Sequence, residues 1–183
     1  MHPLQQVTVT WKVTVTFGNF SVMKNIFHFF LAFIIAVSLD ALTKTWAEQT
    51  LTLYQPLPVL GNWLRLTLGY NTGITFGLFA NSGMTPLIIT GVLLTGIFVW
   101  ILLAVWRGDF SGTAVWLLGF ILGGAAANFI DRLVDLRVTD FLDMGIGATR
   151  WYTFNLADAF IVFGVIFLFL FTWAKKEALP EEE

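Results

Sequence analysis

The distribution of hydrophobic and polar positions divides the chain into four long apolar stretches and the links between them. The stretches cover approximately residues 26–46, 86–106, 112–130 and 156–173. Each is close to the roughly 20 residues that a helix needs to cross about 30 Å of hydrocarbon. The second and third are joined only by "RGDFS", which is short enough to predict an antiparallel pair. The pattern therefore predicts an all-α membrane protein with four transmembrane helices.

The link between the first and second stretches has a different pattern. It reads "LTLYQPLPVLGNWLRLTLGYNTGITFGLF", in which apolar and polar residues alternate around proline and glycine. Such alternation is typical of short strands joined by turns. We therefore predict a small β-structured cradle between helices one and two, on one face of the membrane.

Composition supports the membrane assignment and excludes several classes of function. Hydrophobic residues make up 57% of the 183 residues and charged residues 12%, with a mean hydropathy of +0.77, whereas soluble domains carry about twice that charged fraction. The net charge of −2 provides no basic surface for nucleic acid. The absence of cysteine excludes thiol catalysis, disulfides and thiolate metal sites. His2 and His28 are far apart and have no partner at a ligand or triad spacing.

The basic residues indicate how the chain is oriented. Four helices place both termini on one side together with "RGDFS", and the ten lysines and arginines divide equally between the two sides. Lys24, Arg107, Lys175 and Lys176 are free anchors at helix ends. Because basic anchors favour the cytoplasmic side, we expect cytoplasmic termini and an extracytoplasmic cradle.

The chain is predicted to have three parts. Residues 7–17 alternate between apolar side chains and threonine or lysine, which is a strand pattern without a visible partner. By contrast, "MKNIFHFFLAFIIAVSL" from Met23 is typical of the start of a membrane protein. We therefore predict an N-terminal extension without function at 1–22, a four-helix membrane domain at 23–175 and a cytoplasmic tail at 176–183.

Polar residues within the apolar stretches are candidates for function, because a membrane makes them costly. Asp40 and Lys44 are four positions apart on one helix face, which fits either an internal ion pair or a functional site. On helix three, Asn128, Asp131 and Arg132 lie on one side at its end. Gly119, Gly123 and Ala127 precede them at spacings of four, and we interpret this small-residue seam as a packing surface.

The acidic residues around helix four suggest a reaction. Asn155 and Asp158 open that helix at a spacing that predicts an N-cap with an acid in the first turn. Capping does not explain Asp140, which lies in the apolar segment "VTDFLD" leading to the same membrane surface. Two aspartates in one low-dielectric site tend to share a proton. One of them then deprotonates water while the other acts on a peptide carbonyl oxygen.

Five segments containing these polar residues follow one another along the chain. They are "DALTK" at 40–44, "NTGITFGLF" at 71–79, "GGAAANFIDRL" at 123–133, "VTDFLD" at 138–143 and "FNLADAFI" at 154–161. In order and spacing they resemble the five motifs of the type II, or lipoprotein, signal peptidases, a family of membrane aspartyl peptidases. The resemblance spans about residues 24–175, and five motifs in register make it specific.

The resemblance implies roles for individual residues. Asp140 and Asp158 match the catalytic dyad of the family, whereas Asp143 follows the pattern more loosely and we assign it no catalytic role. The chain departs from the pattern at Ala127, where the family usually has glycine. The positions that build the site and hold the substrate fall on Asp40, Lys44, Asn71, Gly73, Asn128, Arg132 and Asn155.

The resemblance also implies an activity and partners. We expect an endopeptidase of the bacterial inner membrane that removes signal peptides from diacylglyceryl-modified prolipoproteins, N-terminal to the lipidated cysteine. Its site is expected near the outer face, with both termini cytoplasmic. We expect a monomer that needs no cofactor or metal, contacts membrane lipid and is inhibited by cyclic peptides of the globomycin type.

Other interpretations are weaker. A serine protease is disfavoured because Ser38 and Lys44 lie on different helix faces and GxSG is absent, while zinc and presenilin-like proteases lack HExxH and GxGD. A proton- or cation-coupled transporter is an alternative, since intramembrane acids also serve ion relays. For an enzyme, the competing site is a divalent metal held by Asp131, Asp135, Asp140 and Asp143.

Overall fold

Four long helices form the membrane part of the protein. The computed structural model describes residues 18–72 and 84–177. Each helix contains an apolar segment long enough to span a membrane, which confirms the predicted number of spans. Their bounds are Gly18–Thr50 for α1, Thr85–Arg107 for α2, Thr113–Asp135 for α3 and Leu156–Glu177 for α4.

The first helix is longer than its apolar stretch. α1 has 33 residues and continues on both sides of the predicted 26–46 segment, because hydrophobicity identifies the part of a helix in lipid and not the turns beyond it. It begins at Gly18, inside the region assigned to the N-terminal extension. The strand pattern at 7–17 lies outside the described residues, and the lack of function predicted for 1–22 stays a prediction.

The third helix is the centre of the bundle. A Cβ added at Gly123 would lie 2.6 Å from the Phe33 carbonyl oxygen of α1, and one at Gly124 would lie 2.5 Å from the Ala157 carbonyl oxygen of α4. Both glycines therefore allow the backbone of a neighbouring helix to approach α3. Ala127 is buried in the same helix. The small-residue seam is thus a packing surface, as predicted, and it brings the polar ends of α1, α3 and α4 together.

A four-stranded antiparallel sheet covers one end of the bundle. Two strands, Leu57–Leu60 (β1) and Leu64–Asn71 (β2), lie in the link after α1, where the sequence predicted β-structure. The other two, Val138–Ile146 (β3) and Thr149–Arg150 (β4), come from the link between α3 and α4. The strand order is β1-β2-β3-β4, so the cradle draws on both links.

The strands in the link between α3 and α4 were not predicted, because β3 does not alternate between buried and exposed positions. Val138 to Phe141 are all buried, and a fully buried strand has no period of two in its polarity. Phe141 packs against Ala47 of α1 and Leu68 of β2. These contacts fix β3 against the ends of the helices, and with it the position of Asp140.

Candidate active site

The start of α4 is a reciprocally capped helix terminus. The backbone N–H of Asp158 donates to Asn155 Oδ1 at 3.0 Å, and the backbone N–H of Asn155 donates to Asp158 Oδ2 at 3.2 Å. Together they form a capping box. Asp40 of α1 adds a third contact, because its Oδ1 accepts the Ala157 N–H at 2.8 Å. The predicted N-cap is confirmed, and it holds the Asp158 side chain in place.

Asp140 lies beside this terminus on β3. Its carboxylate is buried and accepts a hydrogen bond from Asn155 Nδ2 at 2.8 Å and another from the Asn71 side chain at the end of β2. Burial first and the nearby charge of Asp158 second raise the pKa of Asp140 from 3.8 to about 7, against the hydrogen bonds that lower it. Near neutral pH this carboxyl therefore holds a proton in a substantial fraction of molecules.

Two asparagine amides connect the aspartates. Asn128 of α3 donates from Nδ2 to Asp158 Oδ1 at 2.8 Å, while Asn155 donates from Nδ2 to Asp140 Oδ1. The two amides are joined at 3.0 Å, where Asn155 Nδ2 donates to Asn128 Oδ1. Asp140 and Asp158 thus belong to one hydrogen-bonded unit made from three elements of the fold.

Lys44 fixes the direction of this network from α1. It forms an ion pair with Asp40, as one of the two sequence interpretations predicted, and a second with Asp131 at 2.6 Å. Its ammonium group also donates to Asn128 Oδ1 at 3.0 Å. Since that oxygen faces a cation, the amide nitrogen of Asn128 has to face Asp158. The pair on α1 therefore both neutralises a buried charge and orients a site residue.

The remaining predicted residues fall in three places. Arg132 donates from Nη1 to the carbonyl oxygen of Asn128 at 3.0 Å, and its charge interacts with those of Asp140 and Asp158. Asn71 contacts Asp140, as described above. Gly73 lies outside the described residues. The structure therefore gathers eight of the nine predicted positions around one end of the bundle.

Asp143 is separated from the dyad by its own partners. Arg65 contacts it from β2 and Arg150 from β4, with shortest ion-pair distances of 2.6 and 2.7 Å, and Thr67 donates to it at 3.0 Å. Burial alone would raise the pKa of Asp143, but the hydrogen bonds from Arg150, Arg65 and Thr67 outweigh burial and hold the pKa below 3.8. These contacts join three strands, so Asp143 stabilises the sheet.

The arrangement bears on the proposed metal site. That site requires Asp131, Asp135, Asp140 and Asp143 together, whereas Asp131 contacts Lys44 and Asp143 contacts two arginines. Within 18–72 and 84–177, no three His, Asp or Glu side chains are grouped so as to hold a metal. Asp131, Asp140 and Asp143 are thus each matched by an amide or a basic side chain.

An apolar groove leads to the dyad, and sequence reasoning did not find it. It has a volume of about 540 Å³ and runs between the β3–β4 hairpin and the first turns of α4. Asp158 lies on its wall, and the aromatic lining consists of Trp63, Trp151, Phe154 and Phe163. No local pattern links these residues, because they meet only when both links form one sheet.

With the site defined, comparison with known proteins identifies the family. Residues 31–174 match the family Peptidase_A8, described as "Signal peptidase (SPase) II". The chain belongs to the signal peptidase II family. This membership makes it an aspartic peptidase and a multi-span membrane protein, as the sequence motifs indicated.

Individual members of the signal peptidase II family are similar over most of the chain. The lipoprotein signal peptidase of Xanthomonas campestris pv. campestris is 37% identical over 145 residues, which is 75% of this chain and 83% of that protein. The one from Hydrogenovibrio crunogenus is 37% identical over 164 residues, covering 84% and 91% respectively. The one from Anoxybacillus flavithermus is 31% identical over 150 residues, covering 82% and 87%.

The fold agrees with this signal peptidase II assignment. A bacterial membrane enzyme solved by the in meso method superposes with a TM-score of 0.68 at 26% identity, covering 88% of this chain and 94% of that one. The alternative of an ion-coupled transporter is therefore wrong.

Proposed function

We propose that this signal peptidase II removes signal peptides from prolipoproteins whose cysteine carries diacylglycerol, and that it cleaves on the N-terminal side of that cysteine. The observation that carries the proposal is the pairing of Asp140 and Asp158 through two amides at the wall of an apolar groove. Carboxylates that can activate water therefore lie beside an apolar surface that can bind a lipophilic substrate. Relatives with the name lipoprotein signal peptidase support this substrate class.

The hydrogen bonds support different roles for the two aspartates. Asp140, whose pKa is raised to about 7, is the group that holds the proton in the resting enzyme. Asp158 accepts hydrogen bonds from the Asn128 amide and from the Asn155 backbone, which fix the orientation of its carboxylate at the groove wall. We therefore assign Asp158 as the general base and Asp140 as the general acid.

The reaction then proceeds with balanced proton transfers. Asp158 takes a proton from water as the water oxygen bonds to the scissile carbonyl carbon, and Asp140 protonates the carbonyl oxygen. Asp158 next gives its proton to the leaving amide nitrogen, so that the carbon–nitrogen bond breaks. The hydroxyl formed on the carbonyl oxygen returns its proton to Asp140. Arg132, whose charge interacts with both carboxylates, stabilises the negative charge that the pair retains.

The position of the dyad supports access from within the membrane. The groove wall includes Ala159, Val162 and Phe163 of α4, so a substrate diffusing in the bilayer reaches Asp158 sideways along an apolar surface. The basic residues at the other helix ends support cytoplasmic termini. We accordingly place the enzyme in the bacterial inner membrane with the dyad near the outer face.

The experiment is cleavage of a purified substrate by the purified enzyme in detergent. Two substrates of identical sequence are compared, one with diacylglycerol on the cysteine and one without. We expect cleavage of the first only, between the cysteine and the residue before it. Equal cleavage of both substrates would contradict the proposed substrate class, and cleavage at another bond would contradict the proposed position.

Two additions to this assay address the mechanism. A chelator should leave the rate unchanged, because the proposed chemistry uses carboxylates alone. A globomycin-type cyclic peptide should abolish cleavage by occupying the site between Asp140 and Asp158. Inhibition by the chelator that added magnesium or zinc reverses would favour the metal alternative, and full activity at saturating cyclic peptide would argue against the assigned site.

A further inference from the structure

Two hairpin tips at one end of the sheet expose apolar side chains. The first tip, residues 60–63, joins β1 to β2, and the second, residues 146–149, joins β3 to β4. Leu60 is 58% exposed and Ile146 is 80% exposed. The tips are neighbours in the sheet, because the Gly145 N–H donates to the Trp63 carbonyl oxygen at 2.9 Å. They therefore form one continuous apolar projection.

Charge is excluded from this projection. Neither tip contains an acidic or basic residue, since their sequences are "LGNW" and "IGAT". The nearest charged side chains are held by partners in the sheet: Arg65 and Arg150 both contact Asp143, and Arg150 also donates to the carbonyl oxygen of Asn62 in the first tip. The two arginines and Asp143 thus pair with one another behind tips that carry no charged residue of their own.

The depth of the tips follows from the length of α4. Its apolar segment Leu156–Ala174 has 19 residues, which at 1.5 Å per residue gives about 28 Å, close to the roughly 30 Å of hydrocarbon that has to be crossed. Lys175 and Lys176 follow directly. Because the segment has no length to spare, its first turns have to lie inside the leaflet.

The tips share a groove with those first turns. Trp63 and Ile146 line one wall and Val162 and Phe163 line the other. Val162 and Phe163 lie within about the first 10 Å of the leaflet, since a helix rises 1.5 Å per residue. Trp63 and Ile146 face them across the groove and therefore lie at a similar depth. Trp151 is also exposed, beside the second tip. Tryptophan is a side chain that membrane interfaces favour.

We propose that residues 60–63 and 146–149 insert into the lipid leaflet on the side of the dyad, as a second membrane attachment separate from the four helices. The partner is the acyl and glycerol region of the bilayer. Asp140 and Ile146 belong to the same strand, β3. Insertion therefore holds the strand that carries Asp140 at a set depth relative to Asp158 on α4.

Depth measurements on single-cysteine variants test this, since the chain has no cysteine of its own. A nitrobenzoxadiazole label is placed at Leu60→Cys or Ile146→Cys, and the protein is reconstituted in phosphatidylcholine–phosphatidylglycerol vesicles with doxyl-labelled lipid. Asp109→Cys, in the polar α2–α3 link, is the water control. Phe167→Cys, which is exposed in the middle of α4, is the control for deep lipid.

Both tip labels should show blue-shifted emission, and lipid with doxyl at carbon 5 should quench them at least twofold more than it quenches the Asp109 label. They should be quenched more by doxyl at carbon 5 than at carbon 12, with the order reversed for Phe167. Tip labels that behave like the Asp109 label would overturn the proposal. Blue-shifted labels that lipid does not quench would overturn it as well, because another protein surface would then cover the tips. Neither readout depends on the proposed substrate.

Discussion

Asp140→Asn is expected to stop catalysis and also to stabilise the folded protein at neutral and alkaline pH. The wild-type carboxyl is buried, and its pKa is raised from 3.8 to about 7, first by burial and then by the charge of Asp158. An acid whose pKa is higher in the folded state folds more favourably when protonated. Stability is therefore lost as the pH rises from about 4 through 7, and the full loss is present above 7.

The size of this effect follows from the shift. A change of about 3 units, at about 1.4 kcal/mol each, corresponds to about 4 kcal/mol of unfolding free energy. The asparagine variant has no such loss, but it exchanges hydrogen bonds to a charged acceptor for neutral ones, at about 1 kcal/mol. The net gain of about 3 kcal/mol corresponds to a rise of about 6–12 °C in unfolding temperature for a chain of this size.

The assay is thermal unfolding in detergent at pH 4, 6 and 8, with Asp143→Asn as the matched control from the same strand. The pKa of Asp143 is lowered by its arginine and threonine partners, so this carboxylate adds stability above pH 4 that is lost as the pH falls through its lowered pKa. Asp143→Asn should therefore cost about 2–3 kcal/mol at pH 8 and little in strong acid.

At pH 8, Asp140→Asn is expected to raise the free energy of unfolding and Asp143→Asn to lower it, although both remove one carboxylate from β3. The gain from Asp140→Asn should shrink towards pH 4 and disappear in stronger acid, where the wild-type carboxyl is protonated in both the folded and the unfolded state. An Asp140→Asn variant that is less stable than wild type at pH 8, or a gain independent of pH, would show that ionised Asp140 does not destabilise the fold.

Four further expectations concern activity. Asp140→Asn and Asp158→Asn should each abolish cleavage of a lipidated substrate. The double variant should be no worse, since the losses of activity from residues that act as one unit are not additive. Asp143→Asn protein that remains folded should keep substantial activity. The plot of kcat/KM against pH should fall above about pH 7, as Asp140 loses its proton; a flat profile to pH 9 would contradict its role as the acid. Lys44→Met should lower kcat about 10- to 100-fold, because a hydrogen bond to a charged group contributes about 1.5–3 kcal/mol. Thr45→Ala, on the exposed side of α1, is the control, and wild-type kcat in Lys44→Met would refute the orienting role. Removal of residues 1–22 should leave activity largely intact, and inactive protein inserted at normal levels would show that the segment matters.

Local features of the site were predictable from sequence because their spacing is set within one helix. Asp40 and Lys44 are one turn apart, so they pair whatever the rest of the fold does. Asn155 and Asp158 form a capping box for the same reason. The four spans followed from length and hydropathy alone. The roles of the aspartates were inferred from the order of five motifs, which no single spacing supplies.

The contacts that sequence could not supply join residues far apart in the chain. Lys44 reaches Asn128 across 84 positions, and Arg65 reaches Asp143 across 78. The second of these depends on the register in which Arg65 of β2 lies opposite Asp143 of β3. Register between distant strands is fixed by packing of both segments on the helices, and neither segment alone carries that information.

The identity of the two amides follows from the donors around them. Asn128 Oδ1 receives Lys44 and Asn155 at 3.0 Å each, so a reversed amide would set its NH₂ against two donors and its oxygen against Asp158. Asn155 is fixed in the same way, because its Oδ1 accepts the Asp158 N–H and its Nδ2 is left to face Asp140. Aspartate at either position would replace a donor with a third buried charge beside Asp140 and Asp158, which would raise the cost of ionising either carboxyl. Neutral amides, one oriented by Lys44 and the other by the Asp158 N–H, therefore give each aspartate a donor while adding no charge, which supports a pair that holds a single proton near neutral pH.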